Sequence, residues 1–343
     1  MVVLKIFIDG IIYSLQKHGG ISVYFNELIE RCCNDDRFEL TLSIPKPVVS
    51  KCVPEDFQTY NGRMLERYRS VKLGTGHQIF HSSYYRVPAN KKTPLVTTVH
   101  DFTYEKYVTG PAKHVHRLQK KRAIERAAQI ICVSKSTAND LFSLYPHIKP
   151  ERVSVVHNGV AGHFTPVPPK KAYESTVLFV GDRRRYKNFS NLVTAVSLTS
   201  ALKLCCVGGG AFHEDELELL ARLLPNRYSH AGFLADHCLN ELYASAYCLA
   251  YPSEYEGFGI PVIEAMSAGC PVIATNRSSI PEVAGNAAIL LDQAVPDSIL
   301  EGLEKLSSLQ LREKLVASGL KQAQKFSWDT TWLKTAKVYE RII

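Results

Sequence analysis

The densest chemistry in this 343-residue chain lies between Tyr251 and Glu264, in the run YPSEYEGFGIPVIE. A strand-like stretch, Tyr247–Pro252, leads into a loop holding Gly257 and Gly259, and Pro261 then opens a helical pattern. Proline suits that first helical position because its missing N–H would have been unpaired anyway. A helix start of this kind presents free backbone N–H groups and the positive end of a dipole, an environment that suits a phosphate. The glycines let a ligand approach the backbone closely. Glu256 and Glu264 bracket the loop with seven residues between them, the second two turns into the helix.

A second cluster is Val180–Phe189, VGDRRRYKNF. It follows a strand and sets Arg183 and Lys187 four positions apart, where two cations would neutralise a departing diphosphate. Arg184 and Arg185 read as ordinary surface cations. In the first half, Gly19 and Gly20 lie between the first strand and the first long helical pattern, again a phosphate-compatible helix start. His100 and Asp101 close the strand Leu95–Val99 at its carboxyl end, where sheets of this kind gather their active residues. His81, with Ser82, Tyr84 and Tyr85, follows another strand end and reads equally as an acceptor wall or as structure. The run Val207–Gly210 is a weak nucleotide signal alone, because His213 occupies the place of the third glycine of a dinucleotide fingerprint.

The elements that must position these groups alternate strand and helix. Short runs rich in Val and Ile fall at 2–8, 38–44, 78–81, 95–99, 130–133 and 153–156, separated by helical patterns such as 20–32 and 113–128. That alternation predicts a parallel sheet covered by helices. Pro166, Pro168 and Pro169 then break the pattern, since proline continues neither a helix nor a central strand. Strands resume at 176–180, 202–207, 247–252, 271–274 and 288–291, with helices predicted at 189–198, 213–223, 239–246, 261–268 and 297–324. The expectation is an α/β protein of two Rossmann-like domains facing across a cleft: residues 1–165, residues 166–327, and a last helix, 328–343, crossing back to the first domain.

Composition narrows the class. No apolar run approaches the roughly 20 residues needed to span a bilayer, and the first residues read as a strand, not a signal peptide. Nine cysteines without a Cys-x-x-Cys spacing read as reduced core residues of a cytosolic protein. Charge is uneven. Residues 1–170 hold 24 Lys and Arg against 14 Asp and Glu, whereas residues 171–343 hold 17 against 19. Much of the excess sits in Lys113–Arg126 (KHVHRLQKKRAIER), which reads either as a solvated helix face or as a surface for anionic lipid or a phosphorylated acceptor. Nucleic acid is disfavoured, because aromatic and basic residues are not interleaved. No Asp-x-Asp chelating pair occurs, and Glu214–Glu216 opens a helix whose dipole it complements, so neither metal nor cofactor is expected.

From Pro252 to Ile273 the chain resembles the E-x7-E region of the family 4 retaining glycosyltransferases of GT-B fold. Its Y-K-N phrase and Gly-Gly-Ile-Ser start look most like bacterial surface-polysaccharide mannosyltransferases. The resemblance extends from about Ile6 to Trp332, with sharper motifs in the second half. It implies that Glu256 lies by the donor sugar and diphosphate, that Glu264 bonds the ribose, and that the backbone of Phe258, Gly259 and Ile260 holds the phosphates. It places Gly181, Arg183 and Lys187 in the family's G-x-R-x-x-Y-K-N phrase as a diphosphate clamp, although the commoner form has arginine where this chain has Tyr186. Phe233 and Leu234 would border the base, Gly19 and Gly20 would meet donor phosphates or acceptor, and His100, within the Val-His-Asp101 phrase, would contact the donor sugar or position the acceptor.

The activity so implied is retaining, metal-independent hexosyl transfer from a nucleotide-diphosphate sugar to a glycan or polyprenyl-linked acceptor in surface polysaccharide or lipopolysaccharide (O-antigen) synthesis. GDP-mannose is the first expectation for the donor and a UDP-sugar the second. The expected place is the cytoplasm, peripheral on the inner face of the membrane through Lys113–Arg126. A nucleotide-sugar epimerase, a phosphorylase, and a non-catalytic nucleotide-sugar-binding module remain alternatives.

Overall fold

The computed structural model describes residues 3–342 except 18, 51, 52, 55, 56 and 75. The Val2 start of the first predicted strand, the Ile343 end of the last predicted helix and the reading of Cys52 lie outside the described residues. The chain divides into two compact units, Met1–Gly159 with Trp328–Ile343, and Val160–Ser327.

The first unit is built on seven parallel strands, β1 (Leu4–Asp9), β2 (Phe38–Lys46), β3 (Gln58–Asn61), β4 (Ile79–Ser82), β5 (Leu95–Val99), β6 (Gln129–Cys132) and β7 (Val153–Val155), in the order β3-β2-β1-β4-β5-β6-β7. The strands are short and mostly buried, as expected of a sheet covered on both faces. Order reverses between β1 and β4, and the carboxyl ends at such a reversal form the crevice where ligands of doubly wound sheets sit. A one-turn helix, Ile12–Leu15, precedes the Gly20–Cys33 helix, so the Gly-Gly pair opens the second helix after β1 and not the first. The terminal Trp328–Glu340 helix packs on the Gly20–Cys33 helix. Arg31 bonds Asp329 at 2.7 Å, and the Trp332 indole N–H donates to Asp35 at 3.0 Å.

The second unit carries six parallel strands, β8 (Thr176–Val180), β9 (Lys203–Val207), β10 (Tyr228–His230), β11 (Cys248–Tyr251), β12 (Val272–Thr275) and β13 (Ile289–Leu291), in the order β10-β9-β8-β11-β12-β13. Here the reversal lies between β8 and β11. The division of the chain falls at Gly159/Val160, ahead of the predicted 165/166, for a local reason. Val160 bridges Ser327 and donates to the Phe326 carbonyl, while the proline-rich stretch is tied to the Asp236–Ser245 helix through Thr165 N–H to Asn240 and Lys170 N–H to Ser245. The single long helix predicted over 297–324 is two, Pro296–Lys305 and Leu309–Ala323, because the Ser308 hydroxyl caps the second by accepting from the Leu311 N–H.

Among the described cysteines none forms a disulfide. Six are buried, whereas Cys33 is exposed and Cys238 half-buried on the outward faces of their helices, which corrects the reading of all as core residues.

Candidate functional site

In the second unit, the loops after β8 and β11 flank the point where strand order reverses, and they are stitched together. The Glu254 N–H donates to the Tyr186 carbonyl at 2.8 Å, and the Asn188 amide donates to the Pro252 carbonyl at 2.9 Å. This brings the buried Lys187 into an ion pair with half-buried Glu256, Nζ to Oε1 2.5 Å. The ammonium also lies 5.3 Å from the Tyr251 ring centroid and 5.6 Å from that of Tyr186. Burial pushes the Lys187 pKa down, but the Glu256 carboxylate more than offsets it and leaves Lys187 above its ordinary value. A fixed, charged cation thus stands at the carboxyl end of the sheet.

Glu256 is held in turn from β12. Ser278 and Ser279 donate to the Glu256 carbonyl, at 2.6 and 3.1 Å, Ser279 also reaches the Phe258 carbonyl at 2.9 Å, and Thr275 donates to the Ser253 carbonyl. These hydroxyls were not singled out from the sequence. The available signal was a polar run, Thr275–Ser279, that begins on the last residue of a buried strand.

Gly259 caps the Ile260–Ser267 helix with φ +98°, a left-handed conformation that favours glycine, and a Cβ there would stand 2.8 Å from Ile280 Cδ1. Phe258 turns inward onto Phe326, so this residue has only its backbone left to serve a ligand. Glu264, in the second turn, is half-buried. Burial raises its pKa to about 7, while the Tyr243 hydroxyl, donating at 3.2 Å, pulls it down. Glu256 and Glu264 therefore stand in different surroundings, one against a cation and the other against a tyrosine hydroxyl with its pKa raised toward neutrality.

Arg183 stands otherwise than expected. Its side chain is only 2 % exposed. Nε bonds both Glu216 oxygens at 3.0 Å, Nη1 reaches the Gly208 carbonyl at 3.5 Å, and Nη2 bonds the Gly210 and Ala211 carbonyls at 3.1 and 2.7 Å. All three nitrogens are turned into the protein, and the arrangement brings Arg183 to the glycine loop, not to Lys187. Glu216 also accepts from the His213 N–H, closing a capping box, so the Glu214–Glu216 cluster serves its own helix and Arg183. Phe233, 62 % exposed, and half-buried Leu234 follow β10. Gly181, φ +118°, ends β8 with its N–H bonded to the Val207 carbonyl.

In the first unit, Gly20 begins the helix that carries Tyr24 and Phe25, and those rings flank His100 at centroid distances of 5.1 and 6.5 Å. His100 is enclosed, its Nε2 has no protein partner, and burial lowers its pKa to about 4, so the ring is neutral. Gly19 has extended geometry, φ 172°, and its carbonyl accepts from Ser22 at 2.8 Å. Asp101 caps the next turn by accepting from the Thr103 N–H at 2.8 Å. Burial raises its pKa, but Lys120 and Thr103 more than offset this.

Lys120 corrects the reading of 113–126 as one basic face. It is fully buried, donating to the Asp101 carbonyl at 2.9 Å and to Glu105 at 2.8 Å, so a residue of the basic helix holds the His100–Asp101 turn from beneath. His81 is wholly buried between the Tyr339 hydroxyl (2.7 Å) and Thr98 (2.9 Å), which assigns it to structure. Among the described residues no cluster of His, Cys, Asp and Glu is arranged to hold a metal ion, and no helix is long and apolar enough to cross a membrane.

Comparison with known proteins matches residues 164–322 to "Glycosyl transferases group 1" and residues 19–161 to "Glycosyltransferase Family 4". The O-antigen chain mannosyltransferase RfbU of Salmonella typhimurium is 30% identical over 244 residues, 69% of this chain and 67% of that protein. The O-antigen chain mannosyltransferase B of Escherichia coli is 29% identical over 285 residues, 76% and 74% of the two. Among solved structures, Anabaena Alr3699/HepE in complex with UDP and glucose superposes with a TM-score of 0.77 at 15% identity, covering 98% of this chain and 99% of that one.

Proposed function

The chain belongs to the family 4 glycosyltransferases, retaining and metal-independent hexosyltransferases of GT-B fold, and from that premise we propose that it transfers mannose from GDP-mannose to a glycan or polyprenyl-linked acceptor of a bacterial surface polysaccharide. The observation that carries the donor assignment is the largely sheltered Lys187–Glu256 pair at the strand-order reversal of the second unit, beside the Gly259 helix start and Glu264. Lys187 and the first amides of the Ile260–Ser267 helix stabilise the diphosphate as its bond to the sugar breaks. Glu256 fixes the ammonium and lies beside the donor sugar, and Glu264 receives the ribose hydroxyls. The leaving diphosphate, on the face from which the acceptor hydroxyl arrives, takes its proton, and the anomeric configuration is kept.

Mannose is preferred because both O-antigen relatives are mannosyltransferases. UDP-sugar is the second choice, supported by the UDP and glucose of the Anabaena structure. Neutral His100, with a free ring nitrogen in the first unit, serves the transferred sugar or the acceptor. The outward side of the Pro111–Arg126 helix combines Leu118, 67 % exposed, and Val115 with Arg117, Lys121 and Arg122, the composition of a helix that lies on an anionic membrane surface.

The test is a thermal-shift panel of GDP, UDP, ADP, dTDP and their sugars, with and without EDTA. Stabilisation by GDP and GDP-mannose that survives EDTA is expected. Preference for another base would replace the donor, and no stabilisation by any would overturn the site assignment.

A further inference from the structure

Three loops leave the carboxyl ends of β8, β9 and β10, and two side chains join them. Arg183, from the first loop, spans the second by bonding the Gly208, Gly210 and Ala211 carbonyls, and Glu216 holds its Nε from behind. Its guanidinium lies 4.7 Å from the Phe212 ring centroid, so its flat face is covered as well. His230, at the end of β10, joins the second loop to the third. Its Nδ1 accepts from the Gly232 N–H at 3.1 Å, which leaves the proton on Nε2 to be donated to the Gly208 carbonyl at 3.0 Å.

The loop so held is one that only glycine accommodates. Gly208, Gly209 and Gly210 have φ of +75°, +72° and +76°, and a Cβ on Gly209 would stand 2.4 Å from the Gly181 carbonyl oxygen and 2.9 Å from Arg183 Nη1. Three successive left-handed residues have no regular hydrogen-bonded structure of their own, so cross-loop bonds must fix their shape. The exposed ring of Phe233 rests beside this loop, its Cε1 3.9 Å from the Cβ position of Gly208.

The geometry points to Arg183 and His230 as positioning residues for the nucleoside end of the donor site. They set the glycine loop and the Phe233 ring against which a planar base would lie, and Arg183 makes no contact with the diphosphate. The inference rests on the proposal that the second unit binds the donor, and it gives Arg183 a different part from the clamp expected of it. A guanidinium that faced the diphosphate would need N–H groups turned to open space, and each of its nitrogens here has a protein acceptor.

The two roles separate by which half of the nucleotide feels the substitution. Calorimetric titration of full-length wild type, Arg183→Ala, His230→Ala and Lys187→Ala with GMP and with GDP gives the discriminating ratios. Arg183→Ala and His230→Ala are expected to weaken GMP and GDP by the same factor, on the order of tenfold, about 1.4 kcal/mol. Lys187→Ala is expected to weaken GDP alone. Arg183→Lys keeps the charge but loses the fork, so it stays impaired, whereas a phosphate clamp would be largely rescued. Glu216→Gln, which keeps shape and volume, should show the equal-factor pattern in weaker form even if Arg183→Ala fails to fold. A loss confined to GDP, rescue by lysine, or no loss in either ligand overturns the inference. Wild type that binds no nucleotide of the panel overturns the donor proposal itself, a distinct result.

Discussion

Glu264 offers the sharpest quantitative handle on the donor site. It lies half-buried in the second turn of the Ile260–Ser267 helix, and burial carries its pKa to about 7, against the bond from Tyr243. If its carboxylate receives the ribose hydroxyls, donor affinity must follow its ionised fraction. With a pKa of about 7 that fraction falls from nearly all at pH ~8.5 to about 3% at pH ~5.5, so the Kd should weaken by up to about 30-fold. GDP-mannose is the ligand to use, because its diphosphate is esterified at both ends and does not titrate in this window. Calorimetry across the range should show the decline in wild type and a flat profile in Glu264→Gln. The same shift has a signed consequence for stability. The folded value lies above the ordinary 4.5, so the contribution is complete below about 4.5 and is lost as pH rises through about 7. At pH ~8 Glu264→Gln should therefore melt higher than unliganded wild type, by at most about 3 kcal/mol. A wild-type Kd that is constant between pH ~5.5 and ~8.5, or an equal slope in Glu264→Gln, would refute the assignment.

Arg86 is buried in the first unit between Asp9 (2.9 Å) and Glu66 (2.5 Å); Glu66 keeps its pair with Arg63, but Arg86→Ala strands the buried Asp9 and should cost about 3–5 kcal/mol in denaturant unfolding. Gly259→Ala places a Cβ in a left-handed residue against Ile280. It should cost about 1–3 kcal/mol and weaken GDP binding, since the helix start must shift; melting temperature and Kd report the two effects. Leu118→Asp with Lys121→Glu should abolish co-sedimentation with vesicles rich in anionic lipid while leaving GDP-mannose affinity unchanged, and equal sedimentation would remove the membrane face.

Much of the second unit was legible because its loops combine fixed backbone geometry with particular side chains. The proline at a helix start, the glycine with positive φ and the glutamates on either side each leave a one-residue mark. Two of the four edge strands were not legible. Gln58–Asn61 and Tyr228–His230 are short and polar, and they become strands only by pairing with β2 and β9. Arg183 shows the other limit. Its position four residues before Lys187 suggested one shared task, yet the short loop between them contains a 3-10 turn at Arg185–Lys187. Arg183 pairs with Glu216 while Lys187 pairs with Glu256. Lys120 likewise sat in a basic run that looked like surface, and only the packing of its helix under the His100–Asp101 turn, with Glu105 as partner, reveals a buried charge. Sequence spacing marked which groups were present, and the partners across the fold decided where each one points.

The most direct test of the central claim is transfer itself. Radiolabelled GDP-mannose should be incubated with a lipid-linked glycan acceptor, in EDTA, with wild type and with Glu256→Ala. The expected result is labelled product from wild type, unaffected by the chelator. Glu256→Ala should lose at least about 100-fold in rate, as expected when a group acting on the transition state is removed, while still binding GDP-mannose. Product formation by Glu256→Ala at the wild-type rate, or wild type that binds GDP-mannose but moves no sugar, would contradict the account.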